Sequence, residues 1–469
     1  MALDRAKEMS VPERMKELQQ LMAAFTIRPI DPADATTSHL YFPFHKEPGN
    51  PRGNDPITEL RGTMVLAPTI TTCQLFSGFQ GTGKSTELRR LSAELQMRGF
   101  QVLTIEGARY INLYEPLEVT DLLVSIAAGV AEAVWAKLGV NPLRETLLTR
   151  VAHFLERVEI LGIDVGIGAG VNILGVDGKV DLAKFRLGLK ENPSFKAQIQ
   201  DRLRNKLTTV LDAFREYMGQ VRAMLQGDTE LSPVLIIDDL EKVQGHGERQ
   251  ELVARQVEAI FSNFHFALKI EGYHTVWSSP PYLRFLNNNI AGAYDNYTVL
   301  PMVRVWHWEG AGAQKKRVPD RAGLDAIRRS LELRGDIFSL FESPDLVDEL
   351  ITASSGHIRD VFRLMQDVLR GVVKHDDPRT QLGKAAIQLI VSDYIGTCQM
   401  AVYKDDYPLL REIAATQRVQ SSNEGQVSRI AKLMDTQLVM IYRNGNEWFD
   451  VSTPVQLLLS EGPPDSAAL

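Results

Sequence analysis

Gly78-Phe79-Gln80-Gly81-Thr82-Gly83-Lys84-Ser85-Thr86 is the stretch that decides how this chain is read. It fits G-x-x-x-x-G-K-[ST], the pattern of a phosphate-binding loop. Gly78, Gly81 and Gly83 let the backbone turn tightly and aim several N–H groups at one point. Such a nest at the start of a helix holds a polyphosphate. Lys84 reaches the β- and γ-phosphates, Ser85 holds Mg2+, and Thr82 and Thr86 complete the nucleotide contacts. The flanks supply the setting that the motif needs. Thr72–Ser77 reads as a strand, and Glu87–Leu95 as a helix with Leu88, Leu91 and Leu95 on one face.

A second stretch, Pro233-Val234-Leu235-Ile236-Ile237-Asp238-Asp239-Leu240-Glu241, works with the first. Its apolar residues run without alternation, as in a strand buried on both faces, and it ends in carboxylates where parallel sheets bind ligands. Asp238 is the metal residue beside Ser85. Asp239 orients or deprotonates the attacking water, and Glu241 is its rival for that role. His274–Ser279 reads as a further strand stopped by Pro280 and Pro281, with Ser278 or Ser279 placed to touch the γ-phosphate or the water, or to satisfy a turn. Gln101–Ile105 and Tyr297–Leu300 with Met302-Val303, interrupted by Pro301, complete five strands. The fold class is therefore α/β, a P-loop core with a parallel five-stranded sheet and helices on both faces.

Lys84 lies about 150 residues before the acidic strand, whereas a βαβ unit takes roughly 30. The excess implies a mostly helical insertion over about 141–228, with helices expected at Leu147–Ile160 and Ala197–Leu225 around a glycine-rich stretch, Gly162–Gly178. Residues 1–56 read as an N-terminal helix and a proline-broken segment. In that segment Tyr41, Phe42 and Phe44 either pin the chain to the core or line a base pocket. The core spans 57–305. Residues 306–378 form a helical lid, in which Gly356-His357-Ile358-Arg359-Asp360 precedes a helix with Val361, Leu364, Met365, Val368 and Leu369 on one face. A cation so near a helix start is not favoured by the dipole, so Arg359 either faces the γ-phosphate or forms a surface ion pair with Asp360. Residues 379–469 hold a linker helix, two short helices (Pro408–Ala415 and Val427–Met434) and two alternating strands joined at Asn444-Gly445, a hairpin signal.

Taken together, these motifs resemble an AAA+-related P-loop ATPase, within it the STAND and origin-recognition-like branch, over roughly Ile57–Val372 and a winged-helix-like tail. Gly78–Ser85 is similar to the Walker A loop and Ile236–Asp239 to the Walker B strand. The resemblance implies ATP and Mg2+ as cofactors, Ser278 as first sensor, Arg359 as second sensor, and an arginine from a neighbouring subunit, for which Arg284 is the candidate. Asp238-Asp239 stands where many members carry Asp-Glu, and the insertion is larger than in most. Both departures favour a switch over a motor. No N-K-x-D guanine signature is present; adenine follows from the resemblance.

The net charge of −7 argues against broad coating of nucleic acid. In the tail Arg429, Lys432 and Arg443 are placed to meet a DNA groove, yet acids outnumber bases after residue 374, which favours protein contact. The cysteines, Cys73 and Cys398, form neither a disulfide framework nor a C-x-x-C pair, which fits a reducing cytoplasm. The N-terminus reads as no signal peptide. Ile163–Val176 is the nearest approach to a membrane span, too short and glycine-rich, and no run is expected to reach spanning length. The expected function is thus an ATP-binding and hydrolysing switch that assembles with identical subunits or controls a partner effector protein, in the kind of bacterial antiviral system the resemblance implies. The alternative is a DNA-binding loader or transposition-type ATPase that reads DNA through the tail. No nuclease, protease or deaminase constellation is present, so any effector activity would come from another chain.

Overall fold

Val234, Leu235, Ile236, Ile237 and Asp238 are all buried, and the β-branched run suits a strand covered on both faces. It sits inside a five-stranded sheet: β1 (Thr72–Gly78), β2 (Val102–Glu106), β3 (Val234–Asp238), β4 (His274–Ser279) and β5 (Asn296–Leu300), in the order β2-β3-β4-β1-β5. The pairs β1–β4, β3–β4 and β2–β3 are parallel. Ser77 lies opposite Ser279, Ile237 opposite Trp277 and Glu106 opposite Asp238. One carboxyl edge therefore carries Gly78, Ser278, Ser279 and Asp238, as an α/β site requires. The computed structural model describes residues 7–138, 141–161, 173–174, 180–227, 229–245, 250–287, 289–310, 315–419 and 424–461.

The chain divides into two compact units. One holds Pro56–Gly78 and Glu87–Val299, with the sheet and the insertion. Within it the helix Val119–Leu138 packs on β2 and on the helices Asn141–Arg157, Leu182–Glu191 and Leu207–Gln226. This helix overturns the expectation that no run reaches spanning length: by length and composition it could cross a membrane, but most of it is buried against its neighbours. The stretch Lys384–Gln399 with Lys404–Thr416 passes the same test only as one pair, bent by 87°. The expected helix Ala197–Leu225 is broken into Pro193–Leu203 and Leu207–Gln226, with Asn205 at φ 63° between them. An asparagine tolerates that left-handed turn better than most residues. Of Gly162–Gly178, all but Ile173 and Leu174 lies outside the described residues.

The other unit holds Met1–Asp55, Phe79–Thr86 and Leu300–Leu469. Its N-terminal helix, Val11–Ala24, starts at a capping box between Ser10 and Glu13. Its buried Arg14 donates to Ser339 Oγ at 2.9 Å and to the Ser339 carbonyl at 3.0 Å. Leu18, Leu21 and Phe25 join a core with Leu324, Ile327, Leu350, Leu364 and Val368. Phe44 enters the same core, and Phe42 packs edge-on to it at 4.8 Å. This is the anchoring alternative for that aromatic cluster. The lid helix runs Ile358–Val373 and the linker helix Lys384–Gln399. The tail keeps its expected order, with helices Tyr407–Thr416 and Glu424–Asp435 followed by β8 (Val439–Asn444) and β9 (Asn446–Val451), but it adds a last helix, Thr453–Glu461. An unexpected antiparallel hairpin, β6 (Trp306–Glu309) and β7 (Lys316–Pro319), precedes the lid.

Candidate nucleotide site

The phosphate loop leaves β1 after Gly78 and enters the helix Lys84–Gln96. Gly81 has φ 83° and Gly83 φ 100°, a region where glycine pays no Cβ penalty. Lys84 is buried at 3% exposure, and its ammonium donates to the Phe79 carbonyl at 2.7 Å. Thr82 Oγ1 donates to the same carbonyl at 2.9 Å. Thr86 Oγ1 accepts from the Ile30 N–H at 3.1 Å, so the proline-broken segment touches the start of the loop helix. Ser85 is partly exposed on that first turn.

Around the loop stand residues far away in sequence, all in the same unit. The Arg52 guanidinium donates to the Thr82 carbonyl and, through Nε, to the Pro301 carbonyl at 3.0 Å. His357 Nε2 lies 2.7 Å from the Gln80 carbonyl, and Gln437 of the tail donates to that oxygen at 3.4 Å. Arg359 sits against Gly81: a Cβ added there would meet His357 Nε2 at 2.6 Å and Arg359 Cβ at 2.7 Å. Asp360 is buried, contrary to the surface-pair alternative, with Oδ2 at 2.7 Å from His357 Nδ1 and Oδ1 accepting from Arg363 at 3.2 Å. Tyr394 of the linker helix donates to Asp360 Oδ2 at 3.1 Å. Burial alone would raise the Asp360 carboxyl, but His357 and Arg363 outweigh it and hold the group below its usual range.

In the sheet unit, carboxylate oxygens of Asp238, Asp239 and Glu241 lie within 4.8 Å of one another, all three residues buried. The chain bends at Asp239, whose φ is 74° and whose N–H donates to Asp238 Oδ1 at 2.8 Å. Asp239 is ion-paired with Lys242. Burial works against the Lys242 charge, but Asp239, Glu241 and Asp238 hold its pKa above the ordinary lysine value. Ser278 Oγ accepts from the Leu240 N–H at 2.9 Å. Ser279 Oγ is buried with no hydrogen-bond partner among the described residues. Arg284, in the short helix Leu283–Leu286, lies with its guanidinium 5.1 Å over the Phe285 ring.

The geometry therefore brings together one group of residues within each unit. Arg359 and the loop residues Gly81, Thr82 and Lys84 share one surrounding, while Asp238, Asp239, Glu241 and Ser278 share the carboxyl edge. Arg52, Lys242 and Gln437 were missed by sequence reading. Arg52 and Gln437 bond the loop from 30 and 357 positions away and carry no local motif, whereas Lys242 stands three residues from Asp239, a spacing that brings the two together on a helical turn.

No protein-family model matches this chain, and no curated protein does. Among solved structures it is similar to a Walker-type ATPase of Pyrococcus abyssi, with a TM-score of 0.43 and 11% identity over 93% of this chain and 99% of that one. It is also similar to the Aeropyrum pernix ORC2 protein, solved as ADPNP–ADP complexes, with a TM-score of 0.36 and 11% identity over 93% and 95%. Cdc6p from Pyrobaculum aerophilum matches with a TM-score of 0.31 and 12% identity over 96% and 93%.

Proposed function

We propose that this protein is a Mg2+-dependent ATPase that works as a switch. The observation that carries the reading is the phosphate loop itself. Its glycines adopt the conformations of an amide nest, its lysine is buried beside them, and the Gly356–Asp360 turn of the lid closes on Gly81. A triphosphate entering that nest must displace the Lys84 ammonium from the Phe79 carbonyl and shift Arg359, so binding and lid position are linked.

The donor set suits the metal. Asp238, Asp239 and Glu241 are hard oxygen ligands gathered at one strand end, the kind of site that Mg2+ takes with waters and phosphates completing its shell. Ser85 and Asp238 are assigned to the metal and Gly78, Gly81, Thr82, Gly83, Lys84 and Thr86 to the phosphates. When bound, the ion neutralises charge on the transferring phosphoryl group. Asp239, or Glu241, takes the proton of the attacking water or orients it. Arg359 meets the γ-phosphate from the lid, and Arg284 is offered to a neighbouring copy.

Assembly of identical subunits and control of a separate effector extend this reading, and a role in a bacterial antiviral system rests on the sequence resemblance alone. Protein contact by the tail, instead of DNA contact, is supported by its basic residues. Arg429 and Lys432 face Asp406 at 3.6 and 3.1 Å, and the Arg443 side chain packs at 3.2 Å from where a Gly53 Cβ would sit.

Calorimetric titration of ATP with Mg2+ into the full chain tests the core of this. Saturable binding by the wild type and its loss in Lys84→Ala, with both proteins folded, are expected. Absence of any heat with ATP, ADP or GTP overturns the reading.

A further inference from the structure

In a trans peptide the C=O points opposite to the N–H of the next residue. Whatever grips a carbonyl on the outside of a phosphate loop therefore aims an amide inward. Phe79 O is gripped from within the loop by Lys84 and Thr82, and two further carbonyls are gripped by residues outside it. Gln80 O accepts from His357 Nε2 at 2.7 Å and from Gln437 Nε2 at 3.4 Å, and Thr82 O accepts from Arg52. The amides thereby oriented are those of Gly81 and Gly83, the two left-handed glycines of the nest. Neither glycine constrains its own peptide plane, because glycine tolerates many backbone conformations. Bonds from outside the loop add the restraint that the glycines themselves lack.

His357 is itself held. The residue is fully buried, and its Nδ1 lies 2.7 Å from Asp360 Oδ2. The same carboxylate oxygen receives the Tyr394 hydroxyl from the linker helix at 3.1 Å. One carbonyl thus collects two inputs: a path from the linker helix through Tyr394, Asp360 and His357, and a direct bond from Gln437 just after the tail helix Glu424–Asp435.

We propose that His357 is a positioning residue of the phosphate loop, which fixes the inward direction of the Gly81 amide and, with Gln437, makes that direction depend on where the linker helix and tail stand. This deepens the ATPase reading and rests on it for the ligand. In the gripped state the nest is formed before the triphosphate arrives. Preorganised donors cost nothing to orient at the moment of binding, so affinity is highest while linker and tail are docked. Displacement of the tail by a partner loosens Gln80 and lowers the affinity; reciprocally, bound ATP strengthens tail docking, as linkage requires.

The test uses the full chain as wild type, His357→Ala, His357→Gln and Gln437→Ala. Three readouts are taken: ATP affinity with Mg2+, thermal unfolding, and amide hydrogen exchange of residues 78–86 without nucleotide. His357→Ala is expected to weaken ATP binding about 10-fold, the size of one lost buried hydrogen bond, and to speed exchange at the loop. His357→Gln, whose side-chain amide can stand where Nε2 stands, is expected to recover most of both. Gln437→Ala is expected to give a smaller loss, about 2- to 5-fold, and keeps the proposal testable if His357→Ala fails to fold. A folded His357→Ala with wild-type affinity and wild-type loop exchange overturns the proposal, as does His357→Gln no better than His357→Ala. Should the wild type bind no nucleotide, the ATPase reading fails, and unchanged loop exchange in His357→Ala would separately sink the positioning role.

Discussion

The backbone N–H of Leu240 donates to Ser278 Oγ across 2.9 Å. This bond ties the turn that follows β3 to the end of β4, and the tied turn carries Asp239 and Glu241. Ser278 therefore holds the acids in place before it touches any ligand. Ser278→Ala leaves a buried donor without its acceptor, which costs about 1–3 kcal/mol. Urea unfolding should show that loss, and steady-state assays should show turnover falling more than ATP affinity. Ser279→Ala is the contrast. Its Oγ has no partner among the described residues, so stability is expected to be unchanged, and any fall in turnover would mark Ser279 as the hydroxyl that meets phosphate or water.

Asp239 is held by Lys242 in this state. On the proposed mechanism this ion pair has to open before Asp239 can turn to the attacking water. Asp239→Asn is expected to lower kcat about 100-fold or more, the range for general-base removal, while ATP stays bound. Lys242→Met is expected to raise basal turnover, because it unpairs the base without moving the turn. Single-turnover measurements with both variants check this. A silent Asp239→Asn together with an inactive Glu241→Gln would move the proton-accepting role two residues along.

What sequence could and could not reveal follows from how local each signal is. The loop Gly78–Thr86 and the run Val234–Asp238 announce themselves because their chemistry is contained in consecutive residues, and both stand where a five-stranded α/β sheet needs them. The hairpin at Asn444-Gly445 is legible for the same reason, with Gly445 at φ 86°. The hairpin Trp306–Pro319 gave no such signal. Its tryptophans satisfy themselves through distant partners, Trp306 on Thr453 Oγ1 at 3.0 Å and Trp308 on Asp450 at 3.2 Å. Arg52 illustrates the limit most sharply. Its acceptors are 30 and 249 positions away, and no periodicity encodes such a pairing. His357 was visible as a letter in a motif, but its role depends on meeting Gln80, 277 positions distant.

Asp450 gives a pH prediction. It is fully buried, with Trp308 Nε1 at 3.2 Å and Arg317 Nε at 3.4 Å on Oδ2. Burial pushes its carboxyl up to about 6, against the opposing pull of Arg317. An unfolded aspartate titrates near ~3.9. Between those values the folded chain holds a proton that the unfolded chain releases, so stability is greatest at the acid end of the window and declines as pH rises through it. The slope from one such group is about 1.4 kcal/mol per pH unit. Unfolding midpoints of the wild type and Asp450→Asn across that window should diverge accordingly, the variant showing the shallower decline. Asp121, which burial also pushes to about 6, should leave a residual slope in the variant.

The tail offers the sharpest choice between protein and DNA as its partner. Lys432 bonds Asp406 at 3.1 Å and lies 3.7 Å over the Tyr403 ring, and Arg429 donates to the Asp405 carbonyl. Asp406 itself is only 3% exposed, so these cations close the tail's own packing. A phosphate contact by either would have to break an internal pair first. Arg429→Ala and Lys432→Ala are therefore expected to weaken tail packing, seen as faster proteolysis of the tail, and to leave DNA binding unaltered at every salt concentration. Fluorescence anisotropy with duplex DNA checks the second half. If the two cations do meet phosphates, each substitution should reduce the slope of log affinity against log salt by about 1, and the DNA-reading alternative would then displace protein contact as the tail's role.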